Sequence, residues 1–197
     1  MLRPLFLTLL CLAFLTQFGN ARTFDRVIID PGHGGKDKGA IWGGVRESTL
    51  NLKIALKVEK LLKKKGIPVT LTRRNDVYMG LRSRARVSQR KERCVFVSIH
   101  HNACRHPSVR GLESYYVGTR GKVLAFEIHR RLVAGAKLKD RGIRRRQYLV
   151  LRETRCPAVL IECGYLSNVA ERKRAASSAQ HDRIAKAIVD GLVRVRR

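Results

Sequence analysis

Three apolar runs in this chain stop abruptly at polar residues, and this pattern constrains its fold more than any other feature. Val27-Ile28-Ile29 leads into Asp30-Pro31-Gly32-His33-Gly34-Gly35, Val95-Phe96-Val97 leads into Ser98-Ile99-His100-His101-Asn102-Ala103, and Ala158-Val159-Leu160-Ile161 ends in Glu162. Short, β-branched, continuous runs of this kind read as strands buried on both faces. Helical periods intervene: Leu50, Ile54, Val58 and Leu61 recur with Ala55 and Leu62 on the same face, Leu124, Ile128 and Leu132 mark a second helix, and Ile184, Ile188, Leu192 and Val195 a closing one. Leu81 to Arg90 reads as a further, basic helix. Val69 to Thr72, the more polar and therefore edge-like Gly111 to Val117, and Tyr148 to Leu151 complete the expected strands. The fold class expected is α/β: a single domain with a twisted, mostly parallel sheet of about six strands and helices on both faces. Such sheets build their sites outside the strand carboxyl ends, so His33, His100 and Glu162 should meet in one crevice.

Two imidazoles and a pair of carboxylates gathered there are the parts of a hydrolytic zinc centre. Taken singly, each residue has a plainer role. A histidine in a glycine loop is more often a turn residue, and Glu47, just ahead of a helical run, suits the positive end of a helix dipole. Glu162 resists such a reading, because a carboxylate that ends an apolar run loses solvation unless something compensates it.

The first residues narrow the compartment. Met1-Leu2-Arg3, an apolar stretch from Pro4 to Phe18 and Gly19-Asn20-Ala21 read as a secretory signal peptide over residues 1–21, leaving 22–197 as one domain. The apolar stretch is short for a membrane span, which needs about 20 residues. Export, with the periplasm favoured over an outer wall, is the expectation. The formal net charge of +27 calls for an anionic partner. An exported chain does not meet nucleic acid, so peptidoglycan and the anionic envelope surface are the expected partners. Cys94, Cys104, Cys156 and Cys163 could form disulfides in that compartment, in any of the available pairings; Cys94 and Cys163 could equally be small core residues. Ser88-Gln89-Arg90-Lys91 fits the S-x-x-K signature of a serine nucleophile, but no K-T-G accompanies it and it falls on the expected surface helix.

The ordered set Ile29 to Gly35, Arg46-Glu47, Asn51-Leu52, Leu71-Thr72-Arg73, Val97 to His100, Arg141-Gly142-Ile143 and Ile161 to Asn168 resembles the zinc-dependent N-acetylmuramoyl-L-alanine amidases of cell-wall remodelling, catalytic domain type 3. The resemblance runs from about Arg26 to Val195. It implies that residues 22–197 are a catalytic domain, that His33, Glu47 and His100 bind one zinc ion, and that Glu162 is the catalytic acid/base. The bond implied is the amide between N-acetylmuramic acid and L-alanine of the stem peptide, cut during wall remodelling or cell separation. His101 and Cys163 depart from the family's usual small and aliphatic residues; the first is expected to line the groove or hydrogen-bond nearby. Some relatives carry an inhibitory helix after the strand near Tyr116. Only Gly118 to Lys122 fills that space here, so the expectation is a monomer with an open site and no obligatory activator. The rivals are an exported zinc peptidase acting on the stem peptide and a non-catalytic, basic wall-binding protein.

Overall fold

The apolar runs pair side by side as their composition demands. The structure, a computed structural model, describes residues 22–89 and 91–197; the expected leader at 1–21 lies outside the described residues. In chain order the elements are β1 (Arg26–Pro31), β2 (Ile41–Trp42), β3 (Val45–Arg46), α1 (Glu47–Lys64), β4 (Val69–Leu71), α2 (Leu81–Arg86), β5 (Cys94–Asn102), β6 (Leu112–Val117), α3 (Gly118–Ala136), β7 (Asp140–Arg145), α4 (Leu149–Arg152), β8 (Ala158–Tyr165), α5 (Val169–Ala175) and α6 (Ser178–Arg196). Six strands form one sheet in the order β4-β1-β5-β8-β6-β7, and β2 and β3 form a small separate ribbon. Every pairing in the main sheet is parallel except β6 with β8.

Alternation along the strands splits the core into two layers. Val27, Ile29, Val97, Ile99, Val159 and Ile161 face the long helices α1, α3 and α6, which contribute Ile54, Leu62, Ile128 and Ile188 to a single apolar cluster. Ile28, Phe96, Ala158 and Leu160 face the other way and meet Val150 and Leu151 of α4. Each such aliphatic side chain, fully buried, is worth about 1.5–3 kcal/mol. The second face carries only short helices. Toward the strand carboxyl ends the same face continues, at two-residue steps from Ile28, Phe96 and Leu160, into the polar residues Asp30, Ser98, His100 and Glu162.

The sheet has the expected number of strands but not the expected set. The run at Tyr148 to Leu151 is helical: Tyr148 precedes α4, and Val150 and Leu151 reach the small core from one helical turn. An apolar run of four residues has no period long enough to separate strand from helix. The sixth strand is β7, at the sheet's edge, with β6 one place inside it. The basic helix stops at Arg86. Gly118 to Lys122 is not a connection at all but the first turn of α3, which starts directly where β6 ends.

Cys94 and Cys156 form a disulfide with their Cα atoms 5.3 Å apart, while Cys104 and Cys163 are free. The bond ties the start of β5 to the segment ahead of β8 across a sequence separation of 62. Closing a loop of that length restricts the unfolded chain, and reduction is expected to lower the unfolding free energy by roughly 2–4 kcal/mol. Guanidinium unfolding with and without reductant measures this; coincident midpoints would show that the bond adds nothing.

Candidate active site

The loop after β1 is shaped by its neighbours as much as by its glycines. A Cβ on Gly32 would lie 2.2 Å from the His100 ring, so only glycine allows that approach. His33 follows with φ 60°, a region sparsely populated by residues with side chains. Two buried arginines hold this backbone through its carbonyls. Arg73 donates to the oxygens of Pro31 and Gly32, both at 2.9 Å, and Arg84 to those of Pro31 at 2.8 Å and His33 at 2.7 Å. Asp30 accepts from Arg84 at 2.9 Å, Thr72 at 2.7 Å and Ser98 at 2.8 Å, so this buried charge is matched.

Glu47 opens α1 and is buried. Its Oε1 lies 3.2 Å from His33 Nε2 and 2.9 Å from His100 Nδ1, and it accepts the His101 backbone N–H at 3.1 Å. Its Oε2 accepts the N–H of Ala40 at 2.9 Å. The donor atoms of His33, Glu47 and His100 all lie within 4.8 Å of one another. On its far side His33 Nδ1 meets Asp37 at 2.8 Å, the kind of carboxylate that orients a metal-binding imidazole. Burial alone would lower His33, but Glu47 and Asp37 lift it to about 9. Burial would raise Glu47, and the two imidazoles hold it far below the usual carboxylate range. Two imidazoles and a carboxylate gathered this closely are a donor set that suits a divalent cation, zinc in particular.

Glu162 stands beside this cluster. Its register partner on β5 is His100, and its partner on β6 is Glu113. It does not end its strand, since β8 continues to Tyr165 and β5 to Asn102. Its Oε2 is buried without a hydrogen-bond partner, and burial, helped by the charges of Glu47 and Glu113, pushes the carboxyl up to about 7. Glu113 differs sharply. It accepts from Tyr115, Tyr165, Arg141 and Arg144 at 2.8–3.0 Å, and those bonds outweigh its burial and keep its pKa low.

His101 points to the opposite face of the sheet. Its Nδ1 lies 2.9 Å from Asn51 Oδ1, and burial lowers it to about 4, so it braces Asn51 as a neutral ring. Asn51 in turn donates to Glu47 Oε1 and to the Gly32 carbonyl, each at 3.3 Å. Two serine arrangements are structural. Ser88 is buried, not on the surface as expected, and donates to the Ala85 carbonyl while accepting the Arg155 N–H. Ser114, His129 and Asp140 line up at 2.9 and 2.8 Å, yet Ser114 is 0% exposed and no substrate reaches it. A small cavity of about 70 Å³ lies beside the cluster, between His33, His100, Tyr78 and Arg84. A larger cleft of about 600 Å³ between α1 and α6 is lined by lysines and gathers no comparable chemistry.

The fold is that of an α/β domain whose central strands β1 and β5 and helix α1 bring together His-Glu-His donors that could hold a divalent ion. Residues 27–194 match the family model described as N-acetylmuramoyl-L-alanine amidase, and the chain belongs to that family. It is 34% identical over 181 residues to the N-acetylmuramoyl-L-alanine amidase LytC of Bacillus subtilis, covering 90% of this chain but only 36% of LytC's length. The solved catalytic domain of the amidase CwlV from Bacillus (Paenibacillus) polymyxa superposes with TM-score 0.84 at 40% identity, covering 87% of this chain and 97% of that one. The CwlD amidase of Clostridioides difficile, solved in complex with the GerS lipoprotein, gives TM-score 0.83 at 30% identity, covering 87% and 98%.

Asp37, Arg84 and Glu113 are the site residues that the sequence reading missed. Asp37 lies in an open polar loop with nothing to single it out. Glu113 had a signal: a carboxylate in a strand-like run, the same anomaly that drew attention to Glu162.

Proposed function

We propose that this chain hydrolyses the amide joining N-acetylmuramic acid to L-alanine in peptidoglycan, with one zinc ion held by His33, Glu47 and His100. The convergence of those three donor sets beside an unpartnered carboxylate, Glu162, carries the reading. A zinc ion there would polarise the scissile carbonyl and lower the pKa of water from 15.7 to roughly 7. Glu162 then takes the proton of the attacking water and delivers it to the departing L-alanine nitrogen. Its raised pKa suits both transfers near neutral pH. Asp37 fixes the His33 ring, and Arg73 and Arg84 hold the loop on which it stands.

Export through residues 1–21 and action in the periplasm fit this substrate. Among the described residues no helix is long and apolar enough to cross a membrane. Because α3 follows β6 directly, no segment inserted at that junction covers the site, which is consistent with activity that needs no activator. The purified protein is expected to release free stem peptides from cell-wall sacculi unaided, and a chelator is expected to stop it. Mass spectrometry of the products decides: shortened muropeptides mean a peptidase, and activity only after a partner is added means an activator is required.

A further inference from the structure

The polar rung that carries the site extends past Glu162. His100 on β5, Glu162 on β8 and Glu113 on β6 lie in register, and Arg141 and Arg144 of β7 reach back to Glu113. Arg141 Nε and Arg144 Nη1 each donate to the same oxygen, Glu113 Oε1, at 3.0 Å. The other oxygen is taken by the hydroxyls of Tyr115 and Tyr165 and, at 3.3 Å, by Asn102 Nδ2. One carboxylate thus anchors two guanidiniums, so one positive charge is left over. Glu113 is buried, whereas the side chains of Arg141 and Arg144 are 28% and 46% exposed. Arg141 is further fixed by stacking over the Tyr165 ring, 5.5 Å from its centroid. Rigid, partly exposed guanidinium groups with an unmatched charge are suited to a carboxylate, which they can grip with paired hydrogen bonds.

The geometry points to Arg141 and Arg144 as the subsite for the free α-carboxylate on the second residue of the stem peptide. The inference rests on the amidase reading and extends it to substrate choice. Neighbouring strands lie about 4.8 Å apart, so β7 is roughly 10 Å from β8, and its arginine side chains span part of that distance toward Glu162. A peptide advances about 3.3–3.6 Å per residue, which puts the carboxylate of the second residue roughly 7 Å beyond the scissile carbonyl. The arginines reach back to Glu113, one strand from Glu162, so their guanidiniums lie between about 5 and 10 Å from β8, a range that includes the peptide span. A stem whose carboxylate is amidated offers the arginines no charge and is discriminated against.

The test uses the full chain loaded with zinc and two muramoyl tripeptides that differ only in whether that α-carboxylate is free or amidated. The wild type is expected to cleave the free acid with a KM about tenfold lower and a similar kcat. Arg144→Gln, at the more exposed position, should raise KM for the acid about tenfold and leave the amide unchanged, with Arg144→Lys intermediate. Equal KM for both substrates in the wild type overturns the inference, as does an equal loss on both in Arg144→Gln, which would mark the arginine as a prop for Glu113. Thermal unfolding of each variant separates that prop from a folding defect. Cleavage of neither substrate by the wild type overturns the amidase reading, and this inference with it.

Discussion

Glu162→Gln is expected to lower turnover by about 10³-fold while leaving the fold and zinc content intact. General acid–base catalysis contributes typically 10²–10⁴-fold, and here one side chain is proposed to make both proton transfers. Glutamine keeps the shape but cannot carry a proton. Glu162 Oε2 has no hydrogen-bond partner, so the substitution breaks no bond at that atom. It also removes a carboxyl that burial disfavours in its charged form, so stability should hold or rise slightly. Zinc stoichiometry by elemental analysis, a melting curve and stem-peptide release from sacculi are the three measurements. Turnover within tenfold of wild type would sink the assignment. The contrasting variant is Glu47→Ala, which removes a donor of the metal cluster and should lose the zinc along with the activity.

What could be read in the sequence follows from where the physical constraint is local. β1, β5 and β8 are buried on both faces, so their residues had to be apolar and continuous, and the pattern announces them. α1 announces itself by its period. β7 does not, because an edge strand reading Asp-Arg-Gly-Ile-Arg-Arg has a single aliphatic residue to bury, and it is held by backbone pairing with β6. The helix at Leu149 hides for the opposite reason, being apolar but too short to show a period. His33, His100 and Glu162 could be picked out because polar residues there interrupt apolar runs, although β5 and β8 continue past the last two, and Glu47 is reached only through the family resemblance. Arg84 could not: it belongs to a short basic helix whose sequence looks solvated, and only packing against Asp30 buries it.

That buried pair supports the second large expected effect. Asp30 and Arg84 are 1% and 2% exposed, and Asp30→Ala would leave the guanidinium without its counter-charge inside the protein. Stranding one member of a buried pair costs about 3–5 kcal/mol. For a domain of this size each kcal/mol shifts the melting temperature by roughly 2–4 °C, so a fall of about 6–20 °C is expected. Replacing both partners by apolar residues, Asp30→Leu with Arg84→Met, removes the stranded charge and should recover part of the loss, the remainder coming from the Thr72 and Ser98 hydroxyls that lose their acceptor. It should not recover the site. Arg84 also donates to the carbonyls of Pro31 and His33, and without it the loop bearing the His33 ring is less well fixed. Supports of this kind are typically worth 10–100-fold in metal affinity. The double variant is therefore expected to melt nearer to wild type yet bind zinc at least tenfold more weakly in a chelator competition. A melting temperature for Asp30→Ala within about 2 °C of wild type would mean that the pair is not stranded by its loss, and unaltered zinc affinity in the double variant would detach Arg84 from the site.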